Sequence, residues 1–428
     1  MTDETDFHRQ VEAHFPWNFA VNVIDIVFIM FGMSLISRAT VMPLLVSRLT
    51  PSKMAIGLIP AIYSLGYYLP QLLTANFAEG LRRKKPFVML VGGLGERLPY
   101  LFTGLAVWWL AEPAPAAALV ALFLLLATSA VSNGVATPAW FDMVAKVIPV
   151  RRRGLYSGLG HSLGALLGVV GAMLAGWILA DRPYPRNFGL CFSLAFAAMV
   201  ISWVGLALNR EPESPTVKAR TSLGHYLGQL PTVLRRDRNY ARFLVSRSIA
   251  NLGGMAGGFF MVYGASRFAI GGKEVGTLTA VLVGSQAVMN LLWGMVGDRR
   301  GHKAVLCGAA FSMALAAIAT RMASSAAWLL ATFALLGASM AGDSISGMNI
   351  ILEFCAPEDR PTYIGLTNTL LAPVRSLAPL LGGWLAIGVG YKGMFTVALL
   401  VTTLGGTLLA LWVQEPRHIR QRKLATAV

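Results

Sequence analysis

The sequence predicts an all-α membrane protein of about twelve transmembrane helices, built as two six-helix halves related by an internal pseudo-twofold repeat. Of its 428 residues, 55% are hydrophobic and only 13% are charged, whereas soluble proteins carry about 25% charged residues. The apolar stretches reach the roughly 20 residues that a helix needs to cross a bilayer. Strands are excluded because an open sheet would leave unpaired backbone groups in lipid. The stretches are also too long and too evenly apolar for barrel strands.

The predicted spans follow one another along almost the whole chain. The residues before the first span are polar and acidic, with no short apolar core ahead of a small-residue cleavage site. We therefore expect no signal peptide and a permanent first span. The spans are placed near 18–46, 54–79, 86–110, 116–141, 155–180, 188–208, 241–264, 275–297, 303–321, 325–351, 362–387 and 392–413.

The second half of the chain repeats landmarks of the first half in the same order. Gly176-Trp177 matches Gly383-Trp384, and Arg153 matches Arg360, both at an offset of 207 residues. Each match alone is weak, but their order and their shared offset indicate a repeat of six spans.

Three segments follow from the repeat. The N-terminal half is predicted at 1–208 and the C-terminal half at 241–428. The segment between them, 209–240, is the longest polar stretch of the chain. Its second part mixes apolar residues with arginines, which predicts an interfacial helix near Ser222–Arg242.

The net charge of +16 is distributed by side, and this distribution argues against nucleic acid as a partner. Most of the 36 lysines and arginines lie in the N-terminus, the even-to-odd loops and the C-terminus. By the positive-inside rule, that side faces the cytoplasm, so both termini are predicted there. We interpret the basic clusters as determinants of topology beside the lipid bilayer of the cell, inner or cytoplasmic, membrane.

A short polar link between predicted spans 8 and 9 carries a recognisable arrangement. Gly294 is followed after three residues by Asp298 and Arg299, and then by Gly301 and Lys303. This arrangement resembles the loop signature of the major facilitator superfamily of secondary transporters. Ala304 stands where the family usually has a second basic residue.

A degenerate copy of the signature lies at the matching place in the first half. Glu79 stands for the aspartate, and Lys84 and Lys85 stand for the terminal basic pair. Two such loops, each after the second span of its half, strengthen the resemblance.

The resemblance implies a fold and a lined cavity. The family is built from two six-span halves with the substrate site near mid-membrane, and the first and fourth helices of each half line the cavity. Spans 1, 4, 7 and 10 should therefore line it here. The candidates for substrate or proton binding, with those of the flanking spans, are Asn22, Asp25, Tyr67, Gln71, Asn133, Arg247, Asn251, Gln286, Asn290, Asp343 and Arg375.

Ionisable residues inside spans are costly, so each needs a reason. We expect Asp25 or Asp343 to carry a coupling proton, and Arg247 or Arg375 to hold an anionic group of the substrate. Structural ion pairing remains an equal alternative for these four residues. The adjacent Glu96 and Arg97 are interpreted as a structural pair, because span 3 is peripheral in the family.

A second set of residues lies at the ends of spans beside basic loops. We expect these residues to form ion pairs in one state and to lose them in the other, which would gate transport. The set comprises Glu79, Lys84, Lys85, Asp142, Arg153, Gly294, Asp298, Arg299, Gly301, Lys303, Glu353 and Arg360.

The function predicted is secondary active transport of a small organic solute by a monomer, with coupling to protons. Uptake and efflux both remain open. Catalysis is not expected, because no zinc-protease run, nucleophile elbow or Walker loop is present. We expect no cofactor and no metal, since Cys191, Cys307 and Cys355 lack metal-ligand spacing. The alternatives are a substrate sensor that keeps a transporter fold, or a lipid-handling membrane protein.

Overall fold

The computed structural model describes residues 2–213, 234–355 and 360–417. Nearly all of these residues are helical, and none of them lies in a strand, which confirms the predicted all-α class. The helices are α1 Thr2–Leu35, α2 Val41–Leu49, α3 Lys53–Glu79, α4 Lys85–Phe87, a π-helix Val88–Gly95, α5 Glu96–Leu110, α6 Pro115–Val147, a 3-10 turn Val150–Arg152, α7 Arg153–Asp181, α8 Arg186–Ala207, α9 Arg238–Leu252, a 3-10 turn Gly253–Ala256, α10 Phe259–Phe268, α11 Gly272–Arg300, α12 His302–Met322, α13 Trp328–Phe354, α14 Arg360–Gly388 and α15 Gly390–Trp412.

Helical residues fall on every one of the predicted spans. Within the described ranges, nine helices are long and apolar enough to cross a membrane by length and composition. The membrane class of the fold is therefore confirmed, and the chain crosses the membrane several times.

The first span was predicted wrongly as one helix over 18–46. Helix α1 ends at Leu35 and α2 begins only at Val41. The reason is Pro43, which has no N–H to donate to the carbonyl four residues earlier and whose ring would clash with it. The chain turns instead, and the N–H of Met42 reaches the carbonyl of Ser37 at 3.0 Å.

The seventh span, predicted at 241–264, is also interrupted. Its first part, α9, is capped by the Asp237 side chain, which accepts the N–H of Tyr240 at 2.9 Å. The helix then gives way to a 3-10 turn at Gly253–Ala256, inside a glycine-rich stretch. Glycine weakens helices because it loses more backbone entropy than other residues. A Cβ at Gly253 would collide with Thr402, so close packing of two helices requires this glycine.

The chain forms two compact units. Unit 1 comprises Met1–Pro51, Ile62–Thr221 and Gly271–Ala280. In it, α1 packs against α7 and α8, and α5 packs against α6 and α8. Val23, Ile26 and Val147 belong to one of its apolar clusters.

Unit 2 comprises Ser52–Ala61, Ser222–Ile270 and Val281–Val428. In it, α12 packs against α13 and α15, and α9 packs against α14 and α15. Its largest buried side chains include Tyr240 and Phe243. The predicted segments 1–208, 209–240 and 241–428 stay a prediction, and most of the predicted interfacial helix lies outside the described residues.

Candidate functional site

A cavity of about 240 Å³ lies inside unit 1. Most of its wall comes from helices α1, α3, α5 and α6 and from the π-helix. These helices are largely apolar, so the polar residues that line the cavity are exceptions within them. Its apolar lining includes Ile29, Val88, Phe141 and Leu206. Its polar lining is Asp25, Tyr63, Tyr67, Glu96, Arg97, Asn133, Thr137 and Trp140.

Arg97 is the most highly connected residue of this cavity. It is the second residue after the π-helix Val88–Gly95, and such helices occur frequently at functional sites. Its Nη1 donates to the carbonyl of Gly92, and its Nε donates to the carbonyl of Met199 at 3.1 Å. Its Nη2 donates to Ser202 Oγ at 2.9 Å and lies 3.3 Å from Asp25 Oδ1. These contacts hold the buried guanidinium in one position and satisfy its hydrogen-bond donors.

Both oxygens of the buried Asp25 carboxylate have donors. Oδ1 accepts from Ser202 Oγ at 2.6 Å and from Arg97, and Oδ2 accepts from Trp140 Nε1 at 3.3 Å. Residues from α1, α5, α6 and α8 thus meet at one carboxylate. A buried ion pair needs such additional hydrogen bonds to offset its desolvation.

Glu96 is the second acid of the cavity. Its Oε1 accepts from Asn133 Nδ2, and its Oε2 lies 3.5 Å from Arg97 Nη1. Its side chain is 16% exposed, against 5% for Asp25. Two carboxylates therefore share Arg97, and Glu96 is the more accessible of the two. Another cation, Arg38, interacts electrostatically with Glu96 from a position over the Tyr63 ring, 3.4 Å from the ring centroid.

Aromatic rings form the remainder of the polar wall. Tyr63 and Tyr67 stack with their ring centroids 5.8 Å apart and their planes 7° from parallel. Trp140 and Phe141 meet edge to face at 4.9 Å. Ring faces attract cations and also bury apolar surface. The cavity thus combines a carboxylate pair with rings suited to an amphiphilic solute.

The first-half candidates separate into two groups. Asp25, Tyr67 and Asn133 line the cavity together. Asn22 does not line it, because it exchanges two amide hydrogen bonds of 3.0 Å with Asn209 and is fully buried. The Nε2 atom of Gln71 is buried without a hydrogen-bond partner in the described part of the chain.

Several lining residues were not among the predicted site residues. Glu96 and Arg97 were interpreted as a structural pair; the structure places them 3.5 Å apart and also puts both on the cavity wall. Their signal was present in the sequence as adjacent charges inside an apolar span. Trp140 and Thr137 had no such signal, since only the packing of α6 against its neighbours directs them inward.

The candidates of unit 2 centre on Arg247. Its Nη1 lies 3.0 Å from Asp343 Oδ1, and the Arg247 side chain is only 3% exposed against 38% for Asp343. Asn251 lies one turn further along α9. Arg247 Nη2, Asn251 Nδ2 and Asn290 Oδ1 are buried and have no hydrogen-bond partner among the residues described. Gln286 on α11 and Arg375 on α14 are both partly buried.

The gating candidates of the first half make separate contacts at the ends of their helices. Lys84 pairs with Asp142 at 3.0 Å. Lys85 Nζ donates to the carbonyl of Asn209 at 2.8 Å. Arg153 donates to the carbonyls of Ala145 and Ile148, which closes the end of α6. Glu79 is the last residue of α3, and its side chain lies outside the description.

The second-half gating candidates contact the end of α15 and the chain after it. Lys303 Nζ donates to the carbonyls of Ala410 and Val413 at 2.8 and 2.7 Å. Arg417 binds Glu353 Oε1 and also donates to the carbonyl of Asp298 at 2.8 Å.

The remaining gating candidates make fewer contacts. Gly301 has a φ of 88°, and the Cβ position of Gly294 faces open space. Arg299 is exposed, and Arg360 begins α14 with a side chain outside the described set.

Comparison with known proteins matches the chain to one family. The family model of the Major Facilitator Superfamily matches residues 26–271 and 243–427. A multidrug resistance protein, MdtG of Serratia proteamaculans (strain 568), is 29% identical over 138 residues. That match covers 32% of this chain and 33% of the relative, so it spans about a third of the relative's length.

Solved transporter structures share the fold. A D-xylose-proton symporter superposes with a TM-score of 0.68 at 12% identity, covering 94% of this chain and 99% of the symporter. The nucleoside transporter NupG superposes with a TM-score of 0.64 at 12% identity, covering 92% of this chain and 98% of the transporter. At this identity, the likeness shows the fold alone.

Proposed function

This chain belongs to the Major Facilitator Superfamily, and we propose that it is a proton-coupled secondary transporter of a small amphiphilic organic solute. It works by alternating access, which exposes a binding site to each side of the membrane in turn. The observation that carries the proposal is the buried Asp25–Arg97–Glu96 cluster on the wall of a cavity among membrane-spanning helices.

The proton is carried by the carboxylates that share Arg97. Two buried carboxylates that share one guanidinium leave one negative charge without its own cation, and such a buried charge is costly. Uptake of a proton by one of the carboxylates removes that cost. Glu96 is the more exposed acid, so it exchanges protons with the cavity, while Asp25 holds Arg97 in place. Asp343, paired with Arg247, is the second candidate for a coupling carboxylate.

The solute is held by rings and by charge. Tyr67, Trp140 and Phe141 supply apolar faces beside Glu96, which supports an organic solute with a cationic or polar head. In unit 2, Arg247 Nη2 and Asn251 Nδ2 are two buried donors without partners in the described ranges. Such donors support the binding of an anionic or carbonyl group, because an unmet buried donor is costly until something pairs with it.

The setting is a cell membrane, inner or cytoplasmic, with both termini in the cytoplasm. This orientation is supported by the excess of lysine and arginine on one side of the predicted topology. The transporter acts as a monomer, since each half supplies its own set of candidate residues.

Transport by purified protein in liposomes tests the proposal. A pH gradient is imposed, and movement of labelled organic cations, zwitterions, nucleosides and sugars is followed. We expect movement of at least one class to depend on the gradient, and Glu96→Gln to abolish that dependence. Asp181→Asn is the matched control, because Asp181 is an acid with a half-exposed side chain paired with Arg182 outside the cavity.

Other outcomes would change the interpretation. Movement that ignores the gradient would indicate a uniporter or exchanger and make the carboxylates structural. If no compound moves but one still raises the thermal stability, the chain is a sensor that keeps the transporter fold.

A further inference from the structure

A glutamate follows the last helix of each predicted half. Glu211 comes after α8, and Glu415 comes after α15, each directly before a proline. The Glu211 carboxylate accepts the backbone N–H groups of Lys84 and Lys85 at 2.9 and 2.8 Å, where the third span begins. The Glu415 carboxylate lies at the start of α12, where a Cβ on Gly301 would collide with it. Each half therefore has a glutamate at the start of its third span, the region near 86–110 in the first half and α12 in the second.

The two glutamates have neighbours of opposite charge. In unit 1, Lys146 near the end of α6 donates to Glu211 Oε1 at 2.6 Å. The residue 207 positions later, at the same place near the end of α13, is Glu353. In unit 2, Glu415 thus interacts with another carboxylate, that of Glu353. Two neighbouring like charges disfavour full ionisation of both groups.

The carboxylate oxygens of Glu353 and Glu415 are incompletely hydrogen-bonded. Arg417 donates to Glu353 Oε1 from Nη2 at 2.8 Å and from Nε at 3.0 Å. The other oxygen, Glu353 Oε2, and Glu415 Oε1 are both buried, and neither has a partner within the described part. A proton on one carboxyl would convert two unmet acceptors into a donor and an acceptor. Gly301 leaves room for the Glu415 carboxyl group, since a Cβ at position 301 would collide with it.

We propose that Glu353 and Glu415 form a proton-binding site at this end of unit 2, in which the two carboxylates hold one proton between them. The site is separate from the cavity of unit 1 and does not depend on the transport function proposed above. The charged and titratable groups that face it are Arg417, Lys303 and Cys307, with His302 and Asp298 next to Glu353 and Arg417.

The electrostatics of the segment after α15 support this site. Burial and the neighbouring Glu353 carboxylate raise the pKa of Glu415 to about 7, whereas the pKa of a solvated glutamate is about 4.3. The folded chain therefore binds a proton that the unfolded chain has released. Stability from this site is full below about pH 4.3 and is lost as the pH rises through about 7. Deprotonation leaves two neighbouring carboxylates, and their repulsion destabilises this end of unit 2.

The test is the thermal unfolding of the purified full chain in detergent from about pH 5 to about pH 9. The informative quantity is the difference between wild type and Glu415→Gln, because other groups titrate equally in both. The glutamine amide donates a hydrogen bond as the protonated acid does. We expect the wild type to lose about 2–5 °C relative to the variant as the pH rises through about 7. Glu353→Gln, which keeps an acceptor for Arg417, should give the same result.

Two controls decide the assignment. Glu211→Gln should lower the unfolding temperature by an amount that does not change with pH, because the Glu211 carboxylate is paired with Lys146. His302→Asn should keep the pH dependence of the wild type. A flat difference curve for both glutamine variants would overturn the proposal, and so would a pH dependence that disappears in His302→Asn.

Discussion

Arg97 Nη2 lies 3.3 Å from Asp25 Oδ1, and both side chains are only 5% exposed. The pair joins α1 to α5, two helices whose residues are far apart along the chain. Ser202 Oγ bonds both partners, at 2.9 Å to Arg97 and at 2.6 Å to Asp25. A charge pair that is buried this deeply responds very differently to loss of one partner and to loss of both.

The first prediction concerns this pair. Arg97→Gln leaves Asp25 as an uncompensated buried charge, so we expect a loss of about 3–5 kcal/mol in unfolding free energy. The double variant Asp25→Asn/Arg97→Gln should lose less than the sum of the single variants. Denaturant titration of the detergent-solubilised protein measures all four forms. Additive losses would mean that the two side chains are not coupled.

The second prediction separates proton coupling from folding. Glu96→Gln keeps a carbonyl oxygen for the amide of Asn133, so we expect the unfolding temperature to change little. Transport should lose its dependence on the pH gradient while counterflow exchange of the solute continues. Asn133→Asp, which places a second acid beside Glu96, should shift the pH at which transport is half-maximal upwards, because a neighbouring negative charge favours protonation. Unchanged gradient dependence in Glu96→Gln would remove this residue from the coupling.

The third prediction uses the unmet donor of Asn251. Asn251→Leu removes a buried polar group that has no partner among the described residues, so we expect the protein to gain about 1–3 kcal/mol in stability. The same change should weaken solute binding, since the donor is proposed to meet the solute. Unfolding and equilibrium binding are measured on the same preparation. A variant that binds equally well would assign Asn251 no part in recognition.

The fourth prediction contrasts two glycines of the loop signature. Gly301 has a φ of 88° and a ψ of 159°, a region that is essentially confined to glycine. Gly301→Ala should therefore cost about 1–3 kcal/mol. Gly294 lies inside α11, and its Cβ position faces open space.

Gly294→Ala is therefore the matched control for Gly301→Ala, and we expect it to be neutral or to stabilise by about 0.5–1 kcal/mol. Equal losses in the two variants would show that neither backbone strain nor the space beside Glu415 is the reason for Gly301.

The candidate site was only partly predictable. Asp25, Tyr67 and Asn133 were predicted from polar residues inside apolar spans, and the structure places them on one cavity wall. Asn22 met the same criterion, yet it binds Asn209 instead. An isolated polar residue in a span indicates that it needs a partner, but only the rotation of neighbouring helices determines whether that partner is protein or a cavity.

The sequence by itself determined that this is a helical membrane protein with an internal repeat. That conclusion is local, because burial of the backbone in lipid requires each apolar stretch to satisfy its own hydrogen bonds. The breaks at Pro43 and Gly253 were also readable in principle, since both follow from backbone chemistry within a few residues.

Only the tertiary structure decided which charges meet. Arg97 could have paired with its neighbour Glu96 alone, but packing of α1, α5 and α8 brings Asp25 and Ser202 to the same guanidinium. Packing likewise gives Glu211 a lysine, Lys146, as its partner, while Glu415 interacts with the Glu353 carboxylate. The physical reason is that desolvation makes every buried charge need a partner, while the identity of the partner depends on contacts between helices distant in sequence.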